Sequence, residues 1–194
     1  AANPSPANPE QPPTLNEEQR DALASIRDQQ DQFSRFLLDG ITGSGKTEVY
    51  LQAIAATLAR GQQCLVLVPE IGLTPQTLRR FERRFPGRVV AMHSGMSDGD
   101  RLRHWQAARR GDCDIVLGTR SAIFAELPRL GLVIVDEEHD SSYKQQDGWR
   151  YSARDIAVKR AADHQCPVIL GSATPSFDSL HNADLGRYQL LRLT

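Results

Sequence analysis

The chain is poor in cysteine, in net charge and in long apolar runs, and each shortage removes a class of protein. Only three of its 194 residues are cysteine. Cys64, Cys113 and Cys166 stand far apart, with no CxxC spacing and no His/Cys cluster, so the sequence offers zinc no ligand set. Each borders an apolar run (LVLV, IVLG, VILG), where a buried thiol at the start of a strand is expected. No stretch is apolar over membrane length, and no signal peptide opens the sequence. A cytoplasmic protein with reduced thiols is expected. The formal net charge is −1, so a nucleic-acid partner would have to be met by a local basic patch. Hydrophobic residues at 40% and charged residues at 24% describe an ordinary globular domain with a sizeable core.

The first thirteen residues, AANPSPANPEQPP, carry five prolines and one charge, Glu10. Such a stretch cannot build a core and reads as a semi-rigid tether, with residues 14–194 as the domain. A tether there suggests an excised piece of a longer protein. Beyond it, helix and strand patterns alternate. Helices are expected over Asn16–Gln30, Lys46–Arg60, Thr74–Phe85, Asp98–Arg110, Ala153–Ala162 and Ser176–Ala183. Strands are expected over Arg35–Asp39, Cys64–Val68, Arg88–Met92, Asp114–Leu117, Leu132–Val135 and Pro167–Leu170. Short β-branched runs between helices imply a doubly wound, mainly parallel sheet with helices on both faces. Ligands of such sheets bind beyond the carboxyl ends of the strands.

The chemistry-bearing residues fall there. GITGSGKT, Gly40 to Thr47, follows a strand and opens a helix, which is the context a phosphate-binding loop requires. Its glycines let backbone amides turn toward phosphate oxygens, and the helix N-terminus adds positive charge. Gly40, Thr42, Gly43, Ser44 and Gly45, with Lys46, Thr47 and Glu48, are the expected nucleotide-binding residues. Lys46 reaches the β- and γ-phosphates, and the Thr47 hydroxyl serves Mg²⁺. DEEHD, Asp136 to Asp140, follows the run LVIV. Asp136 is placed to hold Mg²⁺, and Glu137 to act as general base on the attacking water. GSATPS, Gly171 to Ser176, also follows a strand; Ser172 and Thr174 could bond the acidic cluster, or Thr174 could cap a helix that starts at Pro175.

GSGKT, DEEH and SAT, in this order, resemble motifs of superfamily 2 helicases of the DExH kind. VPEIGLTPQ, HSG, GTRSAIFA and the segment DEEHDSSYKQQDGWRYSARDIAVKRA are similar to the primosomal replication-restart branch of that group, from about Leu15 to the end. The resemblance implies a first RecA-like motor domain that uses ATP and Mg²⁺, with no zinc in this stretch. It implies that Gln19 reads adenine, although Asn16 and Gln19 also have capping-box spacing. It implies that His139 relays the nucleotide state together with Ser172 and Thr174. Thr74 and Arg120 would meet the DNA backbone, Thr74 being also a helix cap.

Between Asp140 and Tyr151 stand Tyr143, Lys144, Trp149, Arg150 and Tyr151. Interleaved rings and cations suit single-stranded DNA; the alternative is rings packed on the sheet, above all Tyr143. The arginines of RRFERR and AARRG read as solvated faces. For the whole protein the resemblance implies 3′-to-5′ unwinding at stalled forks and D-loops in bacterial cytoplasm. Its implied partners are a second motor domain of the same chain, primosome proteins and single-stranded DNA-binding protein, with no membrane. Without an arginine finger from the second motor domain, the fragment is expected to bind nucleotide but hydrolyse it poorly. A small phosphotransferase, a non-hydrolytic scaffold and another superfamily 2 translocase are the alternatives.

Overall fold

The computed structural model describes residues 9–194. The tether's Pro4 and Pro6 lie outside the described residues. Seven strands form one sheet: β1 (Ser34–Gly40), β2 (Gln63–Leu67), β3 (Val89–Met92), β4 (Ile115–Gly118), β5 (Leu130–Val135), β8 (Pro167–Ser172) and β9 (Gln189–Leu193). Two short strands, β6 (Lys144–Gln145) and β7 (Tyr151–Ser152), pair antiparallel as a separate hairpin. The helices are α1 (Glu17–Arg27), α2 (Lys46–Ala59), α3 (Pro75–Arg84), α4 (Asp98–Arg110), α5 (Ala153–Asp163) and α6 (Phe177–Asp184). The sheet order is β3-β4-β2-β5-β8-β1-β9, and every pairing is parallel. This is the expected doubly wound, RecA-like architecture.

The inner strands β4, β5 and β8 are almost wholly apolar because the sheet is covered there on both faces. Side chains alternate across a strand. In β2, Cys64 and Val66 therefore join one core cluster while Leu65 and Leu67 join the other. β5 divides in the same way, Leu132 and Ile134 against Val133 and Val135. The first cluster packs under α1, α2 and α3, the second under α4 and α5. Fully burying one Leu or Val side chain is worth about 1.5–3 kcal/mol, so the two clusters supply the main driving force.

Local signals set the helix starts. Asn16 and Gln19 form a reciprocal capping box ahead of α1, and Thr74 caps α3 with Pro75 at the first position. The last helix lies where it was expected, but the alternative cap at Thr174 is not used. Its cap is Ser176, whose side chain accepts from Ser179 N, so the helix begins at Phe177 and Thr174 stays in the preceding turn. The serine wins because its hydroxyl is also fastened to Glu138. β9 was not expected at all. It is an edge strand on β1 with Leu191 and Leu193 inward and Gln189 and Arg192 exposed.

Candidate nucleotide site and nucleic-acid face

β1 delivers the glycine-rich turn and β5 the acidic cluster to the same end of the sheet, with β8 and its GSAT segment between them. Gly45 closes the turn at φ +88°, and a Cβ there would meet Gln19 Nε2 at 2.1 Å. The left-handed backbone favours glycine, and a Cβ would also push the Gln19 amide aside. A cavity of about 280 Å³ is lined by Thr42, Gly43, Lys46, Thr47, Asp136 and Glu137. Arg80, reaching in from α3, lines it too. Lys46 Nζ donates to Gly40 O at 2.5 Å and lies 3.8 Å from Glu137 Oε1.

Asp136 is held by a residue that the sequence did not single out. Tyr50, buried in α2, donates its hydroxyl to Asp136 Oδ1 at 3.0 Å. Burial pushes the Asp136 carboxyl above its ordinary range, against the Tyr50 hydrogen bond and Lys46, which pull it down. Burial likewise drives the Tyr50 hydroxyl well up, aided by the Asp136 charge, so it stays a donor. Glu137 adopts φ +45°, a left-handed conformation uncommon for a residue with a side chain. There its Oε2 accepts from Ala173 N at 3.3 Å, in the GSAT segment.

Glu138 went unassigned in the sequence, yet its carboxylate is fully buried. It accepts from Ser176 N at 2.7 Å, from Ser176 Oγ at 3.1 Å and from Arg154 Nη1 at 3.1 Å. Its own amide donates to Gly171 O. A buried carboxylate needs such partners, and they bind the acidic cluster to α5 and α6 at once. His139 completes the junction. Its Nδ1 is 2.7 Å from Ser172 Oγ, and its Nε2 3.3 Å from Thr174 Oγ1. The two hydroxyls therefore meet the histidine, while the carboxylates take backbone amides of the same segment.

Other expected residues are placed as follows. Gln19 meets its capping reading, its Oε1 accepting from Asn16 N at 3.0 Å, and its Nε2 donates to Ser44 O at 3.1 Å beside the glycine turn. Glu48 turns away from the cavity into a buried ion pair with Arg84 at 2.5 Å. Of the RRFERR arginines, Arg79, Arg80 and Arg83 are exposed as expected, Arg80 at the edge of the cavity, and Arg84 departs into the ion pair with Glu48. The signal was its place three residues after the buried Phe81, on the same face of α3.

Toward the other strand ends, Thr74 is engaged as a cap. Arg120 Nη1 donates to the carbonyls of Ser142 and Lys144 at 3.2 Å each, pinning the aromatic loop. Lys144 and Arg150 are exposed, Trp149 is 93% exposed, and Tyr151 is half-buried. Tyr143 departs from them. Its ring is 1% exposed and its hydroxyl donates to Asp136 O at 2.5 Å, so it packs on the sheet and offers no face for stacking.

The donor set fits a nucleoside triphosphate with Mg²⁺: a glycine turn, a lysine, a threonine hydroxyl and a strand-end aspartate open into one cavity. Among the described residues no three His, Cys, Asp or Glu side chains gather to hold a metal. A cation at Thr47 and Asp136 would depend on phosphate and water for its remaining ligands.

A doubly wound sheet with these motifs defines a helicase-type motor domain, and the chain belongs to the DEAD/DEAH box helicase family, matched over residues 16–183. Within that family it is similar to replication restart protein PriA. The Bacillus subtilis (strain 168) protein is 51% identical over 185 residues, covering 94% of this chain and 23% of the relative. The PriA protein of Haemophilus influenzae is 52% identical over 181 residues, covering 93% and 25%. The chain thus spans about a quarter of the length of these curated relatives. Among solved structures, RecG bound to a three-way DNA junction aligns with TM-score 0.71 and 26% identity, over 95% of this chain and 24% of that one. The Pyrococcus furiosus Hef helicase domain shares the fold, with TM-score 0.64 and 20% identity over 90% and 37%. No described helix is long and apolar enough to cross a membrane.

Proposed function

We propose that this chain is the ATP-binding first motor domain of a replication-restart DNA helicase. The observation that carries the reading is one cavity in which Lys46, Thr47, Asp136 and Glu137 converge from two strand ends, with His139 tying that cluster to Ser172 and Thr174. The amides of the glycine turn and Lys46 take the phosphates. Thr47 and Asp136 would hold Mg²⁺, which would supply charge neutralisation for the phosphates. Glu137 accepts the proton of the attacking water, and its contacts with Lys46 and Ala173 N fix where that carboxylate waits. Gln19 reads adenine from beside the turn, and Arg80 adds a second cation to the cavity. His139, Ser172 and Thr174 pass the state of the site outward.

The DNA contacts of this reading are Thr74, Arg120, Lys144, Trp149, Arg150 and Tyr151; Tyr143 is not among them. Relatives about four times as long bear the name of a replication restart protein. For the whole protein we therefore propose 3′-to-5′ unwinding at stalled forks and D-loops in the bacterial cytoplasm. The partners are a second motor domain, primosome proteins and single-stranded DNA-binding protein. Separated from the second lobe and its arginine, this domain binds nucleotide and turns it over slowly, since such an arginine is worth about 10³–10⁵ in rate.

Calorimetric titration with Mg-ADP and Mg-GDP tests the nucleotide site. ADP is expected to bind tighter than GDP, and Lys46→Ala to weaken ADP at least about ten-fold, the equivalent of one lost charge-assisted hydrogen bond. ADP affinity unchanged in Lys46→Ala would overturn the assignment.

A further inference from the structure

Resting on the proposed role of Asp136 toward Mg²⁺, we infer that Tyr50 sets the choice of cation. By withholding one oxygen of the Asp136 carboxylate it favours Mg²⁺ over Ca²⁺. Tyr50 stands in α2, four residues after Lys46 and three after Thr47. Those spacings put the three side chains on neighbouring rows of one helix surface. The helix that brings Lys46 and Thr47 to the cavity thus brings Tyr50 to the aspartate beside them.

Asp136 has little freedom. Its amide donates to Leu67 O at 2.9 Å, and its carbonyl accepts from the Tyr143 hydroxyl at 2.5 Å. Its Oδ1 accepts from the Tyr50 hydroxyl at 3.0 Å. Tyr50 belongs to the core cluster on one face of the sheet and Tyr143 to the cluster on the other, so the aspartate is gripped from both sides. Oδ2 is the carboxylate oxygen left for a cation, or for a water bound to one. Gly171 in β8 keeps this arrangement possible. A Cβ there would strike the Tyr50 hydroxyl and come within 3.5 Å of Asp136 Oδ1.

Tyr50 does not release Oδ1 freely. Its side chain is buried, and among the described residues its hydroxyl makes this one hydrogen bond. A cation that took both oxygens of Asp136 would leave a buried donor unsatisfied, at a cost of about five-fold or more in affinity. Ca²⁺ takes about six to eight oxygens and accepts a carboxylate through one or both of its own. Mg²⁺ is smaller, holds to octahedral geometry, and keeps several waters beside its carboxylate and phosphate ligands. The withheld oxygen therefore costs Mg²⁺ little and costs Ca²⁺ a ligand.

Calorimetric titration of this chain with the non-hydrolysable β,γ-imido analogue of ATP, in Mg²⁺, in Ca²⁺ and in EDTA, tests the inference. In the unmodified chain Mg²⁺ is expected to strengthen binding over EDTA more than Ca²⁺ does. Tyr50→Phe keeps the ring and frees Oδ1, so the ratio of Mg²⁺- to Ca²⁺-supported affinity should fall about five-fold or more. Gly171→Ala displaces the hydroxyl with Tyr50 still in place and should lower the ratio in the same direction. The two variants reach one bond from opposite sides, so a folding defect in either leaves the other to decide. With Asp136→Ala already present, Tyr50→Phe should leave the ratio where it was, because the tyrosine acts through the aspartate. A hydroxyl that only braces the fold would weaken the support of both cations alike. An unchanged ratio in Tyr50→Phe, or a shift that persists without Asp136, would overturn the inference, as would equal support by the two cations in the unmodified chain. No gain from Mg²⁺ over EDTA in that chain would instead remove the reading of Asp136 itself.

Discussion

The hydroxyl of Tyr50 and the carboxylate of Asp136 are joined by a 3.0 Å hydrogen bond that crosses from α2 to the end of β5. The helix that begins with Lys46 therefore also positions the residue proposed to hold Mg²⁺. Tyr50→Phe is expected to lower folding stability by about 1–3 kcal/mol, the worth of a hydrogen bond to a buried charged group, with little change in packing. Urea denaturation measures it. A loss below a few tenths of a kcal/mol would show that the bond contributes nothing net.

Gly171 depends on the same tyrosine. A Cβ at this position would lie 1.6 Å from Tyr50 Oη and 2.8 Å from its Cζ. Gly171→Ala should therefore displace the ring and break its bond to Asp136. In a double-mutant cycle with Tyr50→Ala, the two losses should sum to clearly less than additivity, since the smaller side chain vacates the space. Additive losses would contradict a direct clash.

Among the described residues, Arg154 is the single cation that contacts the fully buried Glu138 carboxylate. Arg154→Ala should cost about 3 kcal/mol, the lower end for a broken buried pair, because Ser176 still donates two hydrogen bonds. Chemical denaturation decides the matter. A cost under about 1 kcal/mol is what an exposed pair would give, and it would mean that the serine alone sustains the charge.

Glu48 and Arg84 form a second buried ion pair, each side chain 9% exposed. Breaking it by Arg84→Met alone should destabilise by about 3–5 kcal/mol and leave Glu48 partly unpaired beside Gln52. Removing both charges, with Glu48→Leu added, should recover most of the loss, since apolar replacements of buried pairs are often neutral. Thermal melts of the single and double variants provide the comparison, and a double variant no better than the single one would disprove it.

The three thiols are buried and free. Burial pushes the Cys113 thiol up to about 11 and that of Cys166 up to about 12, and it raises Cys64 further still. Thiolate is the reactive form. At pH 8 a thiol-disulfide reagent should label none of them quickly in the folded protein and all three in denaturant. Rapid labelling of one cysteine in the native state would place it at the surface.

The alternating pattern, the glycine turn and the strand-end acids were legible because each is written in a few consecutive residues. LVLV and LVIV announce two-sided burial, and a turn such as GSGKT has few other uses. The junctions were not legible. Tyr50 lies in VYLQAIAATL, where an aromatic reads as one more core side chain. Its bond to Asp136 spans 86 residues. Glu138 looks like a third copy of a repeated acid until Arg154 and Ser176 surround it. Arg84 seems one arginine among four, and only the approach of α2 and α3 makes it half of a buried pair. β9 escaped notice because QLLRL is too short and too mixed to declare a strand without β1 beside it.

The place of β8 in the sheet has a mechanical consequence. It is hydrogen-bonded to β1 on one side and to β5 on the other, from Ser34↔Pro167 to Asp39↔Ser172 and from Val133↔Val168 to Val135↔Leu170. The strand that carries GSAT cannot slide without shearing two ladders at once. On the proposed reading, work done at the cavity leaves by rotation of side chains such as His139, or by the turns beyond the strand ends, over a foundation that stays still. In that arrangement the sheet is the stator, and the loops along its carboxyl edge are the parts free to stroke.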